Sequence, residues 1–537
     1  MLADVVPYSK ATSDPQEGAQ WKEAMKVKFD SLMSHNTGKL VPYPKDSKVI
    51  GGMWRLTKKL NEYGEVYQYK ARWVVLGNPQ EYLLHYFDTW ASVGRNESFK
   101  IMLSLVVNCQ YIPYQFDVET AFLHGEMDTM VYVKQVRGFE TKGKEGWVWK
   151  LNKSLYGTKQ APQMWQLKLV SILEKCDMHK SKSDDSLFLN KDLSLILHVD
   201  VDDGFLIGKE ELTLQDFLNQ LNKELKIKYK RQPTQHLGYM ITWHKDGSLR
   251  LSQSDLIKKL LYDNDMSDRK GVKTPCNGSF HAEIDDEGEV IAITDYQRAT
   301  GSLNYLAQHT QPDIMFTVNQ LLQYSIKPTI KHWTAIKHLM RYLKATINLS
   351  LTFSKRTNET LLEGWADADY ANDRTDRKSI TGILTSVYGN PISWLSKKQT
   401  VVAQSTTEAE FIAMNICAKQ LRWMSFLLME MGIKDTKPTL YNGNSGATTI
   451  AKQATLNPNT KHIEIRFQYL RDIVLKRQLT IVQVGMNDML ADVLTKPLGV
   501  QKLIMVYPQI HLKEIRGVLR KESPLEDNCE YRSLEEG

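Results

Sequence analysis

Cysteine is scarce in this 537-residue chain: there are five, at positions 109, 176, 276, 417 and 529. None is spaced as CxxC or paired with a histidine at a ligand interval. That excludes a zinc site and a disulfide framework and points to a reducing interior. Long apolar runs are missing too. No segment approaches the ~18 residues needed to cross a bilayer, so no membrane partner is expected. Residues 1–20, MLADVVPYSKATSDPQEGAQ, lack the charged-then-apolar layout of a secretion signal. A strong excess of one charge is also absent. Lys and Arg number 69 against 62 Asp and Glu, a net +7 with pI near 8.8. This permits nucleic-acid binding without requiring it.

What is present is ordinary for a globular protein, 42% apolar and 24% charged. The length suggests roughly three domains. Residues 1–20 are polar and read as a disordered leader. From Trp21 an amphipathic helix, WKEAMKVKFDSLMSHN, precedes strand-like KVIGGMWRLTKKL and VYQYKARWVVLG. SFKIMLSLVVNCQ reads as a buried helix, and DDSLFLN, LSLILHV and GFLIG as strands, with WQLKLVSILEKC as a helix between. The polar, Gly- and acid-rich stretch 268–292 reads as a linker, and three helical patterns fill 294–350. A second α/β unit begins near 355 with strand-like TLLEGWADADY, SITGILTSVYGN, PISWLSKKQ and TVVAQS, then a helix from Thr407 to about Met431. The last 35 or so residues are charged and read as loose.

The most informative feature is a split acidic site. Asp117 lies in YQFDVETAFLHG, and Asp202-Asp203 follow the apolar run SLILHV, with Gly204 and a second apolar run behind. That pattern reads as a β-hairpin carrying two carboxylates at its turn. Like charges held together call for a cation, and a third carboxylate on a neighbouring strand completes the donor set that magnesium takes up with substrate phosphates. The competing view of Asp117 is a helix N-cap.

Longer strings narrow the possibilities. KARWVVLGN, FDVETAFLHGEM, KSLYGTKQAPQMW, VDD, YQRATGSLNYLAQHTQPDI, SKKQTVVAQSTTEAEF, KHIEIR and ADVLTKPL, in this order, resemble the reverse transcriptase of copia-type long-terminal-repeat retrotransposons with its attached ribonuclease H region. The resemblance runs from about Trp21 to Leu498. It implies an α+β polymerase palm-and-fingers domain (21–265), a linker and helical connection or thumb (266–354), an α/β ribonuclease H-like domain (355–498) and a C-terminal tail (499–537). It also implies DNA synthesis on RNA and DNA templates, with two Mg2+ ions per active site. The implied partners are an RNA template, a DNA primer, the RNA–DNA hybrid and deoxynucleoside triphosphates, with a dimer left open. The implied setting is the cytoplasm, in a virus-like particle, and/or the nucleus.

Carried over residue by residue, Asp117, Asp202 and Asp203 are the expected metal ligands of the polymerase. Phe122 stands at the family's aromatic gate against a 2′-hydroxyl, or is simply core. Arg72, with Lys58 or Lys59, stands where relatives clasp the triphosphate, a task suited to guanidinium. Gln160 is expected at the nucleotide sugar or template base, or in a plain polar turn before Pro162. Lys331, His332, Lys337, His338, Arg341 and Lys344 could track a duplex backbone. In the second unit the resemblance points to Asp367, Glu410 and Asp492 as catalytic metal ligands. Asp369 remains an alternative to Asp367, and Thr407-x-x-Glu410 also reads as a capping box.

The chain also departs from the family. Gly443 in YNGNSGATTI stands where an aspartate of a DNxSA-like stretch belongs, which leads us to expect impaired ribonuclease H cleavage. Asp200 replaces the tyrosine two residues before the Asp pair. At about 6 Å and an effective dielectric of 20, such a like charge costs roughly 3 kcal/mol. Gln163 and Gln311 stand where arginine is common. With a start at Met1 and no capsid-, protease- or integrase-like region, these departures suggest a decaying genomic copy.

Overall fold

The computed structural model describes residues 5–60, 65–277, 288–356, 360–453 and 464–514. Cys529, most of the 268–292 linker centre and the start of KHIEIR lie outside these residues. No described helix is long and apolar enough to cross a membrane.

The sheet that carries the acidic site follows from period-2 apolar patterning. Its six antiparallel strands run in the order Ile227–Arg231, Ile112–Val118, Asp203–Gly208, Leu195–Asp200, Leu187–Asn190 and Met178–Lys180. Alternate residues face opposite sides. Phe116, Leu197 and Leu206 pack with Trp165 and Leu169 of the helix Ala161–Lys175 and with Phe217 and Leu218 of Glu211–Glu224. Ile196, Phe205 and Ile207 pack on the other side with Phe99 and Met102 of the helix Asn96–Cys109, which is buried along ten of its residues. Asp117 is therefore a strand residue, not a helix N-cap.

In front of this sheet stands the hairpin Gly52–Leu60/Val66–Val75, backed by the helix Gly18–Ser34 through the edge-on contact of Trp21 with Tyr69 (4.8 Å). The expected disordered leader is ordered from Val5 onward. Val5 and Val6 pair with Thr57 and Leu56, and Tyr8–Ser13 is helical, with Ala11 buried and Tyr8 under the Arg137 guanidinium. The ladder bonds and the buried Ala11 hold a segment whose composition alone would leave it unfolded.

The helices Ile293–His309, Met315–Leu322 and Ile330–Ala345 match the three helical patterns. A five-stranded sheet ties them to both neighbours, in the order Gln235–His236, Tyr239–Trp243, Leu249–Ser252, Leu349–Phe353, Leu512–Glu514. It crosses the boundary drawn at 265 and draws in part of the expected loose tail. Leu503 and Val506 of the helix Val500–Gln509 are buried, and Leu512 pairs with Leu351. Residues 515–537 lie outside the described ones.

The second α/β unit is a mixed sheet in the order Asn390–Lys398, Ile380–Val387, Leu362–Asp369, Thr439–Asn442, Thr480–Gln483. The first three strands are antiparallel and the last two parallel to Leu362–Asp369. That is the expected ribonuclease H-like α/β arrangement. The helix Thr406–Glu430 lies across it so closely that a Cβ at Gly364 would come 2.7 Å from Cys417 Sγ. TVVAQS is not a strand. It bends into the helix, where the Ser405 hydroxyl accepts the Glu408 N–H (3.1 Å) and the Glu408 carboxylate accepts the Gln404 N–H (2.8 Å). Capping by Ser405 and Glu408 displaces the box expected from Thr407 and Glu410.

Candidate active sites

The Leu195–Asp200/Asp203–Gly208 hairpin closes on two residues, Val201 and Asp202, with Val201 in the left-handed region at φ 57°. A β-branched residue there is strained. Two backbone acceptors fix the turn: Trp165 Nε1 donates to Val201 O (2.7 Å), and the Val118 N–H donates to Asp202 O (2.9 Å). Register then sets Asp203 directly opposite Asp117 on one side and Asp200 on the other. Three carboxylates thus share one row on one face, and like charges placed so are destabilising.

Burial, followed by the charges of Asp202 and Asp117, pushes the Asp203 carboxyl up to about 6. Asp117 is raised by burial and by Asp202, against the pull of Lys70, Lys228 and Lys59. Among the described residues none of Asp117, Asp202 and Asp203 forms an ion pair. Nor do any three His, Cys, Asp or Glu side chains there converge tightly enough to hold a metal alone. Hard oxygen donors carrying unmatched charge fit a magnesium ion whose shell is completed by substrate phosphates. Asp200 is less disruptive than its sequence position suggests. Its Oδ1 accepts the Gly94 N–H (3.1 Å), and its charge is the least of those raising Asp203. Gly94 is required there, since a Cβ would lie 2.6 Å from His198 Cε1.

The front hairpin presents the opposite charge. Arg55 faces Arg72 across the ladder, Thr57 faces Lys70 and Lys59 faces Gln68, which places Arg55, Lys59, Lys70 and Arg72 on one face. Lys58 lies on the other face, paired with Glu17 at 2.6 Å. Both lysines line the cleft, but the charge of Lys59 reaches Asp117 whereas Lys58 is held by Glu17. Sequence reading missed three neighbours. Burial, Arg72 and Lys59 lower the Lys70 pKa, while Asp117 and Asp202 pull it back up. Burial, Arg72 and Lys70 bring Lys28 down to about 8. Tyr156 lies 5.8 Å beneath the Arg72 guanidinium. Period-2 spacing from Arg72 would have found Lys70; Lys28 and Tyr156 carry no local signal.

Phe122 is 9% exposed, in the short turn Ala121–His124, and stands edge-on to Tyr156 at 4.5 Å. It is both core and a neighbour of the Arg72 face. Gln160 is corrected. It is fully buried, and its amide donates to His85 O (2.8 Å) and Thr129 Oγ1 (3.1 Å) while accepting from Gln80 Nε2 (3.0 Å). That network locks a loop and leaves nothing for a nucleotide. Gln163 bonds Asp88 (2.7 Å), and buried Gln311 donates to Leu349 O (3.3 Å).

A cleft of about 3140 Å³ runs from Lys59 and Tyr67, past Gln115 and Asp203, to a wall where Arg269, Arg298, Lys331, Lys337, His338 and Arg341 outnumber Asp255, Asp263, Asp265 and Asp295. His332 does not belong to that wall. It is buried and forms the N-terminal box of its helix with Thr329. Lys344 does not line the cleft either.

At the second site Asp367, Glu410 and Asp492 come together as expected, but their charges are answered from within. Lys496 Nζ lies 2.6 Å from Asp492 Oδ1 and 3.8 Å from Asp367 Oδ2, and Lys502 holds the other Asp492 oxygen. Thr495 donates to Asp367 (2.5 Å). Asn442 Nδ2 donates to Glu410 Oε2 (2.9 Å) and to Ala366 O (3.0 Å). Burial and Asp367 push Glu410 up to about 8. Asp369 shares the strand face and bonds Asn372. Gly443 leaves room: a Cβ there would meet only Met489 Cε at 3.8 Å and Val484 O at 4.0 Å. Three carboxylates matched by two ammonium groups and an amide do not fit a pair of metal ions.

The chain is similar to several known proteins. The family described as reverse transcriptase (RNA-dependent DNA polymerase) matches residues 35–278. The retrovirus-related Pol polyprotein from transposon RE1 of Arabidopsis thaliana is 36% identical over 499 residues, 91% of this chain and 34% of that protein. The corresponding protein from transposon TNT 1-94 of Nicotiana tabacum is 33% identical over 495 residues, 90% of this chain and 37% of that one. A transposon Ty5-1 protein of Saccharomyces cerevisiae is 30% identical over 300 residues, covering 55% of this chain and 97% of that protein. The chain spans about a third of the length of the plant polyproteins. Among solved structures, prototype foamy virus protease-reverse transcriptase covers 88% of this chain and 54% of its own, with 13% identity and a TM-score of 0.26. A ribonuclease H1 isolated from compost covers 25% of this chain and 93% of its own, with 14% identity and a TM-score of 0.21.

Proposed function

The chain belongs to the reverse transcriptase family of copia-type retrotransposon Pol polyproteins, and from that premise we propose that it polymerises DNA on RNA and DNA templates. The observation that carries the reading is the register: Asp203 opposite Asp117, with Asp202 in the intervening turn, at a cleft whose facing hairpin is cationic. Asp117, Asp202 and Asp203 would hold magnesium, which when bound polarises the primer 3′-hydroxyl and neutralises triphosphate charge. Arg72, Lys70 and Lys59 pair with triphosphate oxygens and orient them, Arg72 with a fork suited to two oxygens. Phe122, braced by Tyr156, closes the space beside the sugar. The cationic wall from Arg269 to Arg341 follows duplex phosphates. The setting is intracellular.

Primer extension on poly(rA)·oligo(dT) tests the proposal, with Asp202→Asn as the blank. Wild type should extend and the blank should not. Equal signals would favour a degenerate relic that only binds nucleic acid. Asp200→Tyr should raise the rate by tenfold or less, because a backbone N–H already offsets that charge and one tenfold step is ~1.4 kcal/mol.

For the second unit the internal pairing of its carboxylates supports impaired ribonuclease H cleavage, and no hydrolytic step is assigned to it. RNA release from an RNA–DNA hybrid in magnesium should be slow in wild type. Gly443→Asp, which the backbone accommodates, should raise it by about tenfold or more. Rapid release by wild type would defeat this reading.

A further inference from the structure

Resting on the polymerase reading, we propose that Tyr305 is a positioning residue that stacks on the 3′-terminal base of the primer. Its helix, Ile293–His309, carries it into the same cleft that Asp203 lines. The residue is 39% exposed and lines the cleft, so part of its side chain stays open to it. One face of the ring lies flat on His309 at 4.0 Å and 28°. His309 cannot swing away, because its Nδ1 bonds Tyr239 Oη (2.6 Å), which in turn bonds Asn96 Oδ1 (3.2 Å). The phenol is fixed as well: it donates to Leu237 O (3.3 Å) at the tip of the Gln235–Met240 hairpin. Leu237 and Gly238 both have positive φ there, and a Cβ on Gly238 would come 2.9 Å from the Tyr305 oxygen.

A rigid aromatic plate open to a nucleic-acid cleft is the arrangement that holds a base without reading its identity. Its place points to the primer end. The chain of contacts from Tyr305 through His309 and Tyr239 ends on Asn96, two residues from Gly94, whose N–H donates to Asp200 Oδ1 (3.1 Å), so the ring stands near the hairpin that carries the carboxylates. That hairpin has no aromatic of its own at position 200. Tyr67 and Trp333 also line the cleft, but they lie on the front hairpin and on the Ile330–Ala345 helix.

Binding of an RNA template annealed to a DNA primer, followed by fluorescence anisotropy, gives a readout independent of turnover; extension kinetics give the split between KM values. Tyr305→Ala should weaken primer–template binding on the order of tenfold while leaving the KM for dTTP within about twofold, and Tyr305→Phe should stay near wild type. A primer ending in an abasic nucleotide should erase the difference between wild type and Tyr305→Ala. The proposal falls if Tyr305→Ala binds normally, or if its deficit persists on the abasic primer, which would mark a displaced Leu237–Gly238 turn. Binding without extension, with the tenfold effect intact, would sustain Tyr305 and sink the polymerase reading. No binding by wild type would sink both.

Discussion

Replacing Asp203 with asparagine is expected to abolish primer extension, by about a thousandfold or more, without loosening the fold. A lost charge at a metal centre removes several kcal/mol of transition-state stabilisation, and ~4 kcal/mol is already a thousandfold. Stability should move the other way. The Asp203 carboxyl sits at about 6 because burial, Asp202 and Asp117 oppose its charge, so the ionised form is unfavourable in the folded protein at neutral pH. An amide keeps the shape and removes the repulsion. Urea denaturation at pH 7.5 in the absence of metal should therefore show the variant at least as stable as wild type, with the gap closing below pH 6. A variant that is inactive and also unfolded would mean that the carboxylate row is structural.

The second large effect concerns Lys100, 1% exposed in the helix Asn96–Cys109, with its Nζ 3.8 Å from the Trp394 ring centre. Burial brings its pKa down from 10.5 to about 7, against the pull of Glu97. Between those values the unfolded chain binds a proton that the folded one does not, so stability should rise with pH from about 7 to about 10. The rise over those three pH units corresponds to roughly 4 kcal/mol. Lys100→Met should flatten that profile and stabilise the protein near pH 7 by about 2 kcal/mol, after the loss of a cation–π contact worth up to ~2 kcal/mol. Denaturation midpoints across pH 6–10 check this, and a flat wild-type profile would refute it.

How much could be read beforehand depended on whether a residue's fate was set locally. Asp117 and Asp203 were legible because alternation and a two-residue turn fix which side chains become neighbours. Arg72 was marked by family resemblance instead, and alternation followed one step from it would have added Lys70. Gln160 misled because its partners, Gln80, His85 and Thr129, come from distant segments that no local pattern announces. His332 resembled its cationic neighbours until the start of its helix assigned it to Thr329. Both ends of the chain looked loose because two-residue and three-residue strands, Val5–Val6 and Leu512–Glu514, are too short to show periodicity. At the second site the carboxylates were legible, but the lysines that answer them were not, since Lys502 meets Asp492 only through the turn between them.

The sheet that joins Gln235–Ser252 to Leu349–Phe353 is completed by Leu512–Glu514, so Ser350 acquires its neighbour Lys513 only after 163 further residues have been made. On the ribosome the middle of this protein must wait, with one strand edge open, until almost all of the described chain has been translated. Such waiting favours capture of that edge by another nascent copy. A stop codon anywhere before position 512 therefore does more than shorten the molecule: it leaves permanently open an edge that synthesis through Glu514 leaves open only for a time.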